Sequence, residues 1–503
     1  MRSRLESGLS YLLPKFSDVV FIALFVGVVG LGPRIFNIDG DLGRHLTIGK
    51  YILDHRQIPT QDIFSHSMSG APLTPHEWLA QVIFALSFAV GGLDGVVWLS
   101  AVLIAATFTA NYLQSWARSR SIFLALFWTI LAAAASSLHW LARPHLFTMF
   151  LIIPWIVILE RIRRGESNRW WLLPILMLFW ANLHGAFIAG FVILGAYLLG
   201  DLWQSLLVES EAGWRLRIRP YLYAAGGSIL ATLINPAGGH LWETSLGYIR
   251  NRYLVGHTAE YLPPNFHEAS NWPFLLMVGL SFLVLGMNRA TIHPAHIFLV
   301  SGWGMMGLYS VRNVPIFALV AAPILAEASV QVLKTLRIGR TFFEFDRRIA
   351  AIEASLRGYV WPINILIAIA MAYGAGIDLD FNRQGNRFDG GTFPVEAVDW
   401  MQKQPQKGSV FNYFPWGGYL LYRDWPRTRV FIDGQTDFYG EQLTRLYEQV
   451  LTLEPGWQEV FRDYQVDWVL MPTDSALVRT LGQDPSWLLV YQDPTATIFD
   501  NLQ

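Results

Sequence analysis

Residues 37–78 read NIDGDLGRHLTIGKYILDHRQIPTQDIFSHSMSGAPLTPHEW. The stretch follows a long apolar run, Phe16–Phe36, and carries Asp39, Asp41, His45, His66, His76 and Glu77. Ionisable groups beside a membrane helix are costly unless they face water or a partner. The stretch therefore reads as a polar loop held over a membrane-embedded scaffold. Leu42–Leu53 has the spacing of a short amphipathic helix, which would turn His45 toward the same site as Asp41. His76 and Glu77 open a further segment, Glu77–Gly91 (EWLAQVIFALSFAVG).

Composition supports the membrane reading. Of 503 residues, 53% are hydrophobic and only 15% charged, against about 25% charged in a soluble domain. The 21 tryptophans suit many helix ends anchored at an interface. A net charge of −1 provides no basic field for nucleic acid. Cysteine is absent, which excludes disulfides, zinc–thiolate sites and cysteine nucleophiles. The N-terminus MRSRLESGLSYLLPKF has basic residues before an apolar run without a small-residue cleavage site, and reads as a retained signal anchor.

Eleven apolar runs predict a polytopic, mostly α bundle of about 11 transmembrane helices: Phe16–Phe36, Val96–Gln114, Ile122–Trp140, Leu146–Leu159, Trp171–Ala181, Phe187–Leu207, Tyr221–Leu233, Phe274–Leu285, His296–Ser310, Pro315–Val332 and Val360–Ile377. If Glu77–Gly91 lies along the interface, the basic clusters Arg118–Arg120, Arg161–Arg164, Arg215–Arg219, Asn288–Arg289 and Lys334–Arg348 all fall on the side of the N-terminus. That is the positive-inside pattern, with a cytoplasmic N-terminus and an outward C-terminus. The remaining polar groups then all land on the outer side, where Asp39–Glu77, Arg143, Asn182 with His184, Asn235–Trp272, and Arg312 with Asn313 converge. Lys334–Arg357 reads as an interfacial helix whose cations suit anionic headgroups.

Two domains follow. Residues 1–377 form the membrane part, in which 37–95 is the outer loop with its interfacial helices. Residues 378–503 lack a membrane-length apolar run and alternate short helices with strands at Ser409–Asn412, Arg429–Ile432, Asp467–Met471, Trp487–Gln492 and Ala496–Phe499. That pattern favours an extracytoplasmic α/β domain with a partly parallel sheet. Phe414–Tyr419 and Asp433–Tyr439 read as loops in which glycines adjoin aromatic rings.

The polar residues suggest chemistry. Asp39 and Asp41 offer two carboxylates for general-base work, or, with Glu260, oxygen ligands for a divalent ion such as Mg2+ or Mn2+; no HxxxH spacing points to a metal. Arg143, before Pro144, and Arg312, between expected helix ends, suit a phosphate through parallel hydrogen bonds. His45, His76, Glu77, Asn182, His184 and Glu260 are further candidate substrate-binding residues. Trp242, Tyr261, Phe266 and Trp272 are candidate stacking faces for sugar rings, or interfacial anchors.

The Asp39-Gly40-Asp41 loop after the first helix, the interfacial helices, the many-helix bundle and the C-terminal domain together resemble the glycosyltransferase C (GT-C) superfamily. Its members include protein mannosyltransferases, aminoarabinose transferases and oligosaccharyltransferase catalytic subunits. Glu260 sits where the oligosaccharyltransferases carry an acid in a long outer loop. Phe414-Pro415-Trp416-Gly417-Gly418-Tyr419 is similar in layout to the region of their Trp-Trp-Asp-Tyr-Gly motif, and brings in Trp416 and Tyr419 as candidates. The motif's Asp is missing, replaced by Gly417 or Gly418, which argues against sequon recognition. The resemblance implies a polyprenyl-phosphate-linked sugar donor and a glycan, lipid or protein acceptor. It implies inverting transfer with Asp41 as base and Asp39 its neighbour, at the outer face of a bacterial-type inner membrane. A flippase for a lipid-linked glycan and a non-catalytic membrane assembly protein are the alternatives.

Overall fold

The computed structural model describes residues 10, 13–38, 40–208, 213–288, 292–356, 358, 360–375 and 385–502. Most of the basic N-terminal segment, Asp39, Arg289, Arg357 and the expected domain junction at 378 lie outside the described residues.

Every one of the eleven apolar runs falls on a helix. Six helices are long and apolar enough to cross a membrane: Trp78–Ser119, Ile122–His139 with its 3-10 end, His145–Arg163, Gly185–Leu206, Ala269–Met287 and Val311–Thr335. A seventh arises if Gly339–Ser355 and Val360–Met371, bent by 58°, count as one span. The expected total of about eleven exceeds this because several runs are short. Phe16–Leu31 has 16 residues and Leu172–Leu183 has 12. Gly213–Thr232 opens with Arg215, Arg217 and Arg219.

The segment Glu77–Gly91 is continuous with the next helix except for a break. Within Trp78–Ser119 the backbone leaves helical geometry at Gly91 and Gly92, and Gly92 has φ 58° and ψ −144°. A side chain is disfavoured there, so the glycine pair lets one apolar stretch end and a differently directed one begin.

Gly339–Ser355 presents two buried carboxylates seven residues apart, hence on one face. Asp346 accepts from the backbone N–H groups of Ile122 (3.0 Å) and Phe123 (3.2 Å). Glu353 accepts from Phe16 N–H at 3.0 Å. Each acid therefore caps the N-terminus of an apolar helix, where orphan donors and the helix dipole favour negative charge. Arg340, Arg347 and Arg348 of the same helix are exposed.

The C-terminal sheet has the order β1(Ser409–Asn412), β2(Val466–Pro472), β4(Ala496–Asn501), β3(Trp487–Gln492). β1 and β2 run parallel, and β2–β4 and β3–β4 are antiparallel. Strand periodicity gives it two faces. Val410, Trp468, Leu470 and Ile498 join the core shared with the membrane helices. Phe411, Val469, Met471 and Phe499 pack under the domain's own helices. Arg429–Ile432 is not a strand of this sheet. Val430 instead makes an isolated parallel bridge to Ser65 of the first loop. The two expected loops also differ: Phe414–Trp416 is a 3-10 turn running into helix Gly417–Asp424, and Thr436 begins helix Thr436–Leu451.

A second polar network sits at the opposite helix ends from residues 41–77, so the ionisable groups do not all gather on one side. Glu160 is paired with Arg163 (2.6 Å), Arg164 (2.8 Å), His296 (3.1 Å) and Arg118 (3.7 Å), and Tyr197 donates to it at 3.0 Å. Arg118 also holds Glu327 at 2.6 Å. The knot ties five helices together. Breaking a buried pair strands the remaining charges, at about 3–5 kcal/mol. Glu160→Gln should therefore lower the thermal stability of the detergent-solubilised protein far more than Arg340→Ala at an exposed pair. Equal melting shifts for the two variants would contradict this role.

Candidate active site

The site begins with helix Asp41–His55, whose residues 42–49 are buried although they include Arg44 and His45, while Lys50 and the last turn are exposed. Glycine makes the close seat possible. A Cβ on Gly43 would lie 2.2 Å from Gly418 O, and one on Gly418 would lie 2.1 Å from Gly40 O. The first turn of this helix thus rests backbone to backbone on the start of helix Gly417–Asp424. The loop before that helix's neighbour reaches further in: a Cβ on Gly434 would lie 1.7 Å from Asp41 Oδ1.

Asp41 faces an arginine–carboxylate chain. Arg143 Nη2 is 2.8 Å from Asp41 Oδ2, and its Nη1 pairs with Glu260 Oε1. Glu260 Oε2 lies 3.7 Å from Arg312 Nη1, which donates to the Tyr261 hydroxyl at 2.9 Å. Burial pushes the Glu260 carboxyl up, but the guanidiniums of Arg143 and Arg312 outweigh it and hold it down at about 2.

Glu77 is the hub of an adjoining group. His76 Nε2 and His184 Nε2 each lie 3.8 Å from its Oε1, His45 Nδ1 lies 3.9 Å from Oε2, and Arg44 Nη2 lies 4.0 Å from the same oxygen. Burial raises the Glu77 carboxyl against the pull of His76 and Arg44. Burial, with Arg44 adding to it, drives His45 well below the usual imidazole value, so this ring is neutral. A narrow cleft lined by Arg44, Thr74, His76, Glu77, Gln81 and Gln435 lies beside this group.

Of the residues singled out in the sequence, Asp41, His45, His76, Glu77, Arg143, His184, Glu260 and Arg312 thus converge. Asn182 adjoins them as a saturated hub: its Oδ1 accepts from Trp78 Nε1 (2.7 Å) and Asn235 Nδ2 (3.1 Å), and its amide donates to Leu178 O and Ile234 O. Trp416 and Tyr419 are not brought to the cluster. Trp416 is buried and donates to Thr392 O, and Tyr419 packs on Phe388 and Phe393 and accepts from Arg423. His66 bonds Val410 O and anchors the loop to β1. Trp242 is packed edge-on against Phe187, Phe266 stacks on Phe274, and Trp272 is exposed. Asp39 lies outside the described residues. Among the described residues no group of three or more His, Asp or Glu side chains is arranged for a metal ion. Asp41 and Glu260 do not form a cation site as they stand, because the Arg143 guanidinium lies between them.

Arg44, Asp433, Gln435 and Asp437 also face the site, although the sequence offers residues 433–439 only as a glycine–aromatic loop. Arg44 Nη1 donates to Gln435 Oε1 at 3.0 Å, and its Nε lies 3.7 Å from Asp433 Oδ1. Asp437 Oδ2 lies 3.8 Å from His76 Nδ1. The Asp-Gly and Asp-Phe of the 433–439 stretch look like ordinary turn chemistry in sequence. Their place is decided by the docking of a segment some 390 residues away from helix Asp41–His55.

No protein-family model and no curated protein sequence matches the chain. Solved structures do. The archaeal oligosaccharyltransferase AglB from Archaeoglobus fulgidus, in complex with an inhibitory peptide and a dolichol-phosphate, superposes with a TM-score of 0.58 at 10% identity. The match covers 97% of this chain and 74% of AglB. The arabinofuranosyltransferase AftD from Mycobacteria matches at a TM-score of 0.50 and 12% identity, over 96% of this chain and 41% of AftD. The fold is that of the GT-C glycosyltransferases. Within this GT-C-like chain, Asp41 stands just after the first apolar helix and Glu260 in a long connection between helices.

Asp433 supplies a pH test of the junction. Burial raises its carboxyl from 3.8 to about 6, despite Arg44 and the Gln435 N–H. A raised folded-state value means that protonation of Asp433 favours the folded form. Its contribution is complete below about pH 4 and is lost as pH rises through about 6. Thermal unfolding from pH 4 to 7 should show a falling stability in this window, flattened in Asp433→Asn. Parallel wild-type and variant curves would refute the assignment.

Proposed function

We propose that the protein transfers a sugar from a polyprenyl-phosphate-linked donor to an acceptor hydroxyl or amide, with inversion, at the outer face of a bacterial-type membrane. The observation that carries this reading is the Asp41–Arg143–Glu260–Arg312 chain, set in a GT-C fold at the junction of the first-loop helix and the C-terminal domain. It joins a carboxylate suited to proton abstraction to two guanidiniums suited to a phosphate leaving group.

In this reading Asp41 takes the proton of the acceptor as its oxygen or nitrogen attacks the anomeric carbon. The bond from that carbon to the phosphate oxygen breaks on the opposite face, and polyprenyl phosphate leaves. Arg143 and Arg312 receive the charge that builds on the leaving oxygen. His45, His76, His184 and Glu77 border the acceptor side. An apolar groove lined by Phe127, Ile130, Leu131, Ala134, Trp272 and Leu276 supports a lipid donor, since it runs along helices whose ends lead to His139 and to the Glu260 connection. The basic helix ends at Arg118, Arg161, Arg164 and Arg347 lie away from Asp41 and support a cytoplasmic N-terminus. The reading also counts eleven spans, with the shorter apolar helices crossing by extension into mixed-polarity turns.

The test is turnover by purified protein in nanodiscs supplied with a panel of polyprenyl-phosphate sugars. Wild type should release polyprenyl phosphate, and Asp41→Asn should do so about 10²–10⁴-fold more slowly while melting at a similar temperature. Equal rates would remove Asp41 from the mechanism. No release from any donor would count against the transferase reading.

A further inference from the structure

The arginines that the donor phosphate would need are already paired with a side chain on a separate element. Glu260 lies on a single 3-10 turn, Ala259–Tyr261. That turn is held to the neighbouring helix end by the Ser310 hydroxyl, which donates to Glu260 O at 3.0 Å, and by Val311 N–H, which donates to Leu262 O at 2.9 Å. Its side chain bridges Arg143 and Arg312. We propose that Glu260 is a built-in competitor for the donor phosphate: its carboxylate occupies the anion position between Arg143 and Arg312, and it must swing out when the phosphate enters. This rests on the reading that these two arginines bind the donor.

Charge arithmetic points to an exchange. Arg143 and Arg312 balance Asp41 and Glu260, two positive against two negative. A sugar phosphodiester brings one further negative charge into a half-buried site, where like charges a few ångströms apart repel by several kcal/mol at an effective dielectric near 20. Departure of one carboxylate restores neutrality. Asp41 is poorly placed to leave. It sits on the first turn of a buried helix, with Gly434 packed against its carboxylate, and its side chain is 15% exposed. Glu260 is 31% exposed, on a single 3-10 turn tied to the neighbouring helix end by two hydrogen bonds. Strong ionisation of Glu260 keeps this competitor charged at neutral pH.

The turn also carries Tyr261, whose ring lies beneath the Arg312 guanidinium at 5.0 Å. Movement of the turn would carry this stacking contact with it. The same event that frees the arginines would thus open the side of the site bounded by residues 259–262. The Asp41–Arg143–Glu260–Arg312 chain would keep its own balance before and after donor entry, with the carboxylate and the phosphate alternating on one pair of guanidiniums.

Binding of undecaprenyl phosphate to the full chain in nanodiscs tests this, with wild type, Glu260→Gln and Arg312→Gln compared by native mass spectrometry titration. If the arginines are free in about a tenth of molecules, Glu260→Gln should bind about tenfold tighter. Arg312→Gln should bind more weakly. Unchanged or weaker binding by Glu260→Gln, with weaker binding by Arg312→Gln, would overturn the competitor and leave the donor reading intact. Unchanged binding by Arg312→Gln would sink the donor reading itself. A measurement that needs no variant is hydrogen exchange in the wild-type protein. The amides of residues 259–262 should exchange faster on adding undecaprenyl phosphate, while those of 44–52 hold steady. Slower or unchanged exchange at 259–262 would also overturn the proposal.

Discussion

Everything in the candidate site depends on a backbone-to-backbone seat. Helix Asp41–His55 lies against the start of helix Gly417–Asp424 so closely that neither Gly43 nor Gly418 has room for a Cβ. Such an approach is available only to glycine. It brings the Asp433–Asp437 segment over Asp41 and Arg44, and so converts a loop and a peripheral domain into one polar chamber. The shared core, running from Phe25 of the first helix to Val410 and Trp468 of the sheet, holds that seat by apolar burial from both sides.

Placing charge in such a junction demands pairing. Arg44 is buried yet stays protonated: burial lowers it, and Asp433, Asp41 and Glu77 more than compensate. Arg143 is shared between Asp41 and Glu260 in the same way. The site is thus an alternating array of cations and anions in which each charge stabilises its neighbours. An incoming phosphate would enter by exchange. This links the electrostatics of the folded state to the behaviour expected of a donor site, and it makes the Glu260 turn the element with mechanistic freedom.

The far end of the bundle uses the same logic for another purpose. Glu160 is saturated by Arg163, Arg164, His296 and Tyr197. Asp346 and Glu353 cap two helix N-termini from one helix, Gly339–Ser355. These groups hold helix ends together.

The sequence alone determined the class of fold, through hydropathy. Each of the eleven apolar runs falls on helix, and the break between Glu77–Gly91 and the next run was written in Gly91-Gly92. It also nominated Asp41, Arg143, Glu260 and Arg312, because ionisable residues beside apolar runs carry a cost that needs a reason. What it did not contain was pairing. Trp416 and Tyr419 looked like a site motif and are core packing, since the burial of an aromatic ring is set by what docks on it. Arg429–Ile432 had strand composition, but its partner is Ser65 in the first loop and not a strand of the sheet. Arg44 and Asp433 carried no local signal, for their meaning lies in a contact across about 390 residues of chain. Local periodicity follows from neighbours in sequence, and so it was legible. Which charge neutralises which depends on long-range docking, and only the tertiary structure decided it.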